Sequence, residues 1–193
     1  MSTELTTTRA DDSAGGDIAT VLGMSTGENW RACELLASSE LVPKAYQNKP
    51  ANIAVAASMG KRLGLDLFSA LASIAVINGT PAIWGDGRLA VCQSHPGWRG
   101  MSVDWASDGS AVVVTVRRAE GGDVGSYAGR FSKADAQAAG LLGKAGPWRS
   151  YPSRMVELRA RSYALDAAFA DALMGFADRE DLEPETTRPA RVY

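Results

Sequence analysis

The stretch IAVINGTPAIWGDG, residues 74–87, decides the fold that the sequence predicts. It opens with the β-branched run IAVI, passes through Asn78-Gly79 and returns through TPAIW. Asn-Gly favours a two-residue hairpin turn because both residues tolerate positive φ angles. Pro81 fits only an edge or the start of a strand, since it has no N–H to donate to a neighbouring strand. The GDG that follows is typical of a helix start, with its Asp or its second Gly as the cap of a helix over residues 88–93.

Helical and extended patterns on either side of this hairpin predict an α+β fold. Upstream, the sequence predicts a helix over residues 27–39, a second that begins at Pro50, and a short third capped by Asp66. Downstream, alternating apolar residues predict an antiparallel meander with strands at residues 98–105, 111–118 and 124–131. The first of these strands alternates strictly, as a strand with one buried face does. Ser132 then caps a short helix.

A long C-terminal helix over residues 153–174 is expected to pack on this sheet. Pro152 precedes it and is favourable at the first helical position. Its apolar side chains recur at the helical spacing of 3.6 residues. The arc that they form comprises the positions Met155, Leu158, Ser162, Leu165, Phe169, Leu173 and Phe176.

The chain of 193 residues is long enough for one well-packed domain with polar ends. We predict a flexible acidic arm at residues 1–26, a folded domain at 27–176 and a disordered tail at 177–193. No apolar run approaches the roughly 18 residues of a membrane span, and the N-terminus lacks a signal-peptide pattern. These features predict a cytoplasmic protein without membrane partners.

The net charge of −2 conceals an uneven distribution. Residues 1–40 have a balance of −5, residues 41–176 one of +5, and residues 177–193 one of −2. Because binding to a polyanion depends on local charge more than on the total, the basic middle is compatible with nucleic-acid binding.

No set of residues predicts catalysis or a bound cofactor. Two cysteines and the single His95 are too few for a disulfide framework or a zinc site. The glycine-containing segments match neither a phosphate-binding loop nor a dinucleotide fingerprint. We therefore predict a protein that is not an enzyme and needs no nucleotide or metal. A metal-dependent nuclease remains a further hypothesis, although the carboxylates in this sequence form no paired motif.

A cluster of basic and aromatic residues is the strongest functional signal in the sequence. The predicted DNA-binding residues are Lys144, Trp148, Arg149, Tyr151, Arg154, Arg159, Arg161 and, at a strand end, Arg117. Cations that follow a phosphate backbone, interleaved with aromatic faces for bases, are what single-strand binding requires. The alternative is a solvated helix face with Trp148 as a core anchor. Both interpretations treat Lys144, Arg149 and Arg161 as exposed, whereas Arg159 is a candidate for burial.

The segment LVPKAYQNKPANIAVAASMGKRLGLDLFSALASIAVINGTPAIWGDGRLAVC resembles the N-terminal half of RecT-type phage recombinases. In that family a Pro-x-x-Tyr-x-x-Lys-Pro segment precedes a helix ending in Leu-Gly, and an Ile-x-Val-Ile-x-Gly-x-Pro hairpin follows. The resemblance spans about residues 27–176. In the second half it rests on Lys144, Pro147-Trp148, Tyr151-Pro152, Met155 and Arg159-Ala160.

This resemblance implies a protein that anneals complementary single strands without ATP and assembles on DNA as a ring or a helical filament. A phage exonuclease or a host single-strand-binding protein is a candidate partner. Two family features are absent from the long helix, namely a second arginine near residues 166–169 and a Pro-Asp pair near residues 170–174. Their absence and the acidic ends keep an alternative open, in which a repurposed RecT-like phage protein binds and inhibits a host protein such as a nuclease.

Overall fold

A computed structural model describes residues 26–77, 80–143 and 145–178, and it confirms the α+β fold. The helices of the described part are α1 (Thr26–Ala37), α2 (Pro50–Arg62), α3 (Leu67–Ser73), α4 (Gly85–Ser94), α5 (Lys133–Ala138), α6 (Pro147–Ser150), α7 (Pro152–Ala168) and α8 (Ala170–Leu173). The strands are β1 (Ile74–Ile77), β2 (Thr80–Ile83), β3 (Trp98–Trp105), β4 (Ala111–Glu120), β5 (Asp123–Ser132) and β6 (Ala177–Asp178).

The chain divides into two compact units, Met1–Ser58 and Met59–Tyr193, so residues of the predicted domain fall in both. In the first unit, α1 is followed by a loop whose Asn48 N–H donates to the Ala37 carbonyl at 2.8 Å. The second unit contains every described strand and the basic cluster. Most of the predicted arm and tail lies outside the described residues. The tail boundary at 177 was wrong, because Ala177–Asp178 forms β6, which pairs in parallel with β2.

The hairpin forms in the predicted register. Strands β1 and β2 are antiparallel, with Ile74 opposite Ile83 and Ile77 opposite Thr80, so two residues connect them. Those two, Asn78-Gly79, lie outside the described residues. The predicted helix cap was wrong, because Trp84 is the N-cap residue and its carbonyl accepts from the Arg88 N–H at 2.9 Å. Asp86 therefore lies inside the first turn of α4, where its carboxylate is available to other elements.

The meander is confirmed, with β4 between β3 and β5. Val112, Val114 and Val116 of β4 are fully buried and alternate with more exposed residues. The strict alternation predicted for β3 was wrong, because its register shifts between Trp98 and Met101. The shift allows both side chains to pack against the same core, which simple alternation would have prevented. Asp66 caps α3 and Ser132 caps α5, as predicted.

Helix α7 packs on β4 and β5 at very close range. A Cβ atom added to Gly129 of β5 would lie 2.0 Å from the Ala160 carbonyl oxygen, so glycine is required at this crossing. The prediction of one helix over residues 153–174 was wrong, since α7 ends at Ala168 and Phe169 adopts φ −133°. The Arg118 guanidinium donates to the Ala168 carbonyl at 2.6 Å, and the Phe169 ring is fully buried. Arg118 and the residues that pack on Phe169 come from distant segments of the chain. The helical periodicity of residues 153–174 therefore does not indicate where the helix ends.

Candidate nucleic-acid interface

The structure places the predicted DNA-binding residues in different environments rather than on one surface. Arg117, Arg149, Tyr151 and Arg154 are exposed, Arg159 is half-buried, Trp148 and Arg161 are buried, and Lys144 lies outside the described residues. The exposed and buried members have different roles.

Trp148 is a core residue. Gly146 adopts φ 97°, Pro147 occupies the first position of α6, and Trp148 is the buried residue of this helix. Its indole is 7% exposed and packs on the Phe131 ring, with centroids 6.4 Å apart. A buried ring has no free face for a base, so the structure favours the core-anchor interpretation and corrects the assignment of Trp148 to DNA contact.

Arg161 is also buried, which corrects the prediction that it is exposed. Helix α7 is buried around most of its circumference between Ala160 and Leu165, so the Arg161 stem has little access to water. Its Nη2 donates to Asp86 Oδ1 at 2.8 Å. Asp86 keeps 70% of its side chain exposed, so this ion pair reaches from the core to the surface.

An open groove of about 330 Å³ lies beside this pair. It is lined by Trp84, Asp86, Pro147, Tyr151, Arg154, Met155 and Leu158. We call it the Trp84–Tyr151 groove, after the two exposed aromatic residues on it. Tyr151 is 67% exposed, and the mostly apolar lining includes the buried Met155.

Charges of both signs line the Trp84–Tyr151 groove. The exposed Arg154 guanidinium lies 3.4 Å from Asp86 Oδ2 through its Nη2 atom. Asp86 therefore accepts from two arginines, one buried and one at the surface. Arg149 is exposed on α6 and lies two residues before Tyr151. Flat aromatic faces next to exposed guanidinium groups can bind bases and phosphates together.

Sequence reasoning missed Trp84 and Asp86 as groove residues. The sequence predicted Asp86 only as a helix cap and Trp84 only as the end of a strand. Both lie in the sequence WGDG about seventy residues from Arg154, and nothing in their local pattern indicates that distant contact.

Arg117 does not belong to the Trp84–Tyr151 groove. It follows the buried Val116 on β4, and successive side chains of a strand point to opposite faces. Arg117 therefore lies on the face of the meander opposite the one covered by α7. This corrects its grouping with the arginines of the long helix.

Another arginine–carboxylate pair connects β4 to α8. Arg118 Nη1 and Nη2 donate to the two carboxylate oxygens of Asp171 at 2.6 and 2.7 Å. This bidentate bond lowers the pKa of Asp171 to about 2. The Nη1 atom of the same guanidinium also donates to the Ala168 carbonyl, so both terminal nitrogens of Arg118 are engaged within the fold.

Apart from its arginine–carboxylate pairs, which also include the buried Arg88 with Asp166, the described part has little further chemistry. Among the residues that the structure describes, no group of three or more His, Cys, Asp or Glu side chains could hold a metal ion. Burial raises the pKa of the Cys92 thiol to about 12, which keeps it in the unreactive thiol form. Within the same ranges, no helix has the length and apolar character that crossing a bilayer requires.

Comparison with known proteins adds no assignment. No protein-family model matches the chain, and no curated protein matches it.

Proposed function

We propose that this protein binds single-stranded DNA and anneals complementary strands without ATP, as an oligomeric phage-type recombinase. The observation that carries the proposal is the Trp84–Tyr151 groove, where two exposed aromatic side chains lie with Arg154 on one surface. Base–aromatic stacking tolerates any sequence because every base has a π-face. The motif resemblance along residues 27–176 supports the same function independently.

In this proposal the protein makes and breaks no bond. Tyr151 and Trp84 stack on bases, while Arg154 and Arg149 neutralise phosphates of the same strand. Several protomers in a ring or filament hold consecutive segments, so that a second strand can pair with the first. A phage exonuclease that generates single strands, or a host single-strand-binding protein, is the partner expected for this activity.

Fluorescence anisotropy with labelled oligo-dT over a range of salt concentrations tests the binding step. On single strands the slope of log affinity against log salt is about −0.7 for each phosphate neutralised. Arg154→Ala should weaken binding and reduce the slope by roughly that amount. Tyr151→Ala should weaken binding by about 1–3 kcal/mol with little change in slope. Arg117→Ala is the matched control, since it removes an exposed arginine from the opposite sheet face.

The annealing step is tested with complementary oligonucleotides, whose pairing is monitored through the loss of a strand-specific fluorescence signal. The wild-type protein should accelerate annealing equally with and without ATP and magnesium. If the protein binds no oligonucleotide at low salt, the proposal fails. The alternative function, in which this protein binds and inhibits a host protein, would then be favoured. The engagement of two arginines by Asp86 supports that candidate, because it lowers the free positive charge of the groove.

A further inference from the structure

The carboxylate of Asp86 is an unexpected feature of a groove proposed to bind a polyanion. It lines the Trp84–Tyr151 groove and is largely exposed, so it would face any strand that enters. A carboxylate repels phosphate, and it is compatible with bound DNA only if it meets hydrogen-bond donors. On a nucleic acid the donors within reach of a stacked base are the N–H groups on the base edge.

Asp86 has unused acceptor capacity. A carboxylate offers about four lone-pair sites. Arg161 occupies one site on Oδ1 at 2.8 Å, and Arg154 approaches Oδ2 at 3.4 Å, which is long for a charge-assisted bond. Buried Arg161 holds the carboxylate in place, while exposed Arg154 can move to a phosphate. This leaves Oδ2, together with the second lone pair of Oδ1, able to accept from a ligand.

The four bases differ in what they present to such an acceptor. The pairing edge of guanine has two adjacent donors, N1–H and the N2 amino group. In adenine and cytosine the amino group is next to a ring nitrogen acceptor, and in thymine N3–H lies between two carbonyl oxygens. Guanine is therefore the base that can present one donor to each carboxylate oxygen, with no base acceptor facing either oxygen.

We propose that the Trp84–Tyr151 groove is a single-base slot with a preference for guanine, in which Asp86 accepts from the N1–H and N2 amino groups. This inference rests on the proposed binding of single-stranded DNA and adds a base preference to it. The groove volume of about 330 Å³ is at the small end of the roughly 300–1,000 Å³ typical of ligand pockets, which suits one base. Tyr151 and Trp84 supply stacking faces, and Arg154 supplies the cation for the adjoining phosphate.

The preference should be modest, because Asp86 is exposed to competing water. A bidentate contact to a base is worth about 1–3 kcal/mol, and the lower end corresponds to roughly fivefold in affinity. Phosphate contacts and stacking leave binding to other sequences intact. The slot must release its guanine before that base can pair with a complementary strand.

Anisotropy titrations of the full chain with three labelled oligonucleotides of equal length test the slot. These alternate dT with dG, with deoxyinosine or with dC. Deoxyinosine keeps N1–H but lacks the N2 amino group, so it removes one of the two proposed bonds. The dG oligonucleotide should bind about fivefold more tightly than the dC one, with deoxyinosine between them.

Asp86→Asn should abolish the difference among the three oligonucleotides, because an amide cannot accept from both donors of guanine. Asp104→Asn is the matched control, because Asp104 is an exposed carboxylate on β3 that accepts from the Ser102 hydroxyl at 3.3 Å. It should keep the dG preference. If Asp86→Asn fails to fold, equal affinity of the wild-type protein for the three oligonucleotides still overturns the slot, and the order dG, deoxyinosine, dC supports it.

The outcomes separate this inference from the proposed function. Equal wild-type affinity for all three oligonucleotides, or a dG preference that persists in Asp86→Asn, would overturn the guanine slot and leave single-strand binding in place. Failure to bind all three at low salt would overturn single-strand binding itself.

Discussion

The two sides of α7 differ in how tightly they are packed. Toward the sheet, the helix backbone meets Gly129 so closely that one added carbon atom does not fit. Toward the Trp84–Tyr151 groove, the helix presents Arg161 and Arg154 to a carboxylate that remains mostly exposed. Dense packing on one side fixes the position of the charges on the other. Substitutions on the sheet side should therefore alter stability, and substitutions on the groove side should alter binding.

The largest effect is expected for Trp148→Ala, which removes a buried indole packed on Phe131. Truncation of a buried Trp costs about 3–5 kcal/mol, because transfer energy and packing are both lost. Chemical denaturation followed by circular dichroism measures this change. A stable variant with weakened DNA binding would instead return Trp148 to the DNA-contacting residues.

Gly129→Ala should be the next most disruptive substitution, with a loss of about 3 kcal/mol. The new methyl group meets backbone atoms of α7, which cannot move aside without shifting the helix. Gly125→Ala is the control on the same strand, because its nearest neighbour is the Tyr127 side chain at 3.1 Å. If both variants melt at the same temperature, the close crossing of α7 and β5 is not a stability determinant.

Arg161→Ala should have an intermediate effect that involves both sides of the helix. We expect a stability loss of about 1–2 kcal/mol, between the about 0–1 kcal/mol of surface pairs and the about 3–5 kcal/mol of buried ones, because Asp86 stays hydrated. The freed Asp86 should also weaken binding of oligo-dT. Thermal melting and anisotropy on the same preparation measure the two effects. Unchanged stability would show that the buried pair contributes little to the fold.

The smallest effect is a pH dependence at the Arg118–Asp171 pair. The pKa of Asp171 is lowered to about 2 in the folded protein, against an ordinary value of about 3.9 in the unfolded chain. The pair therefore contributes stability above about pH 4, and that contribution is lost as the pH falls through about 2. In Asp171→Asn the melting temperature should decline less between pH 5 and pH 3. An identical decline in both proteins would assign acid sensitivity to other carboxylates.

Local patterns in the sequence predicted much of the fold. The β1–β2 register, the valine strand β4 and the caps at Asp66 and Ser132 are confirmed. Each depends on residues within a few positions of one another, where backbone preference and side-chain alternation act directly. The candidate site was predicted less well. Arg149 is exposed as predicted, whereas Arg161, predicted to be exposed, is buried.

By itself, the sequence determined most of the helices and strands, where most of them begin, and that the cations cluster in the middle of the chain. Only the tertiary structure decided that α7 ends at Ala168, that Arg117 lies on the opposite sheet face and that Asp86 meets Arg161. The physical reason is that burial and ion pairing depend on contacts between residues about fifty to eighty positions apart. Such contacts leave no periodic trace in the sequence, because any exposed or buried partner of suitable charge would satisfy the same local pattern.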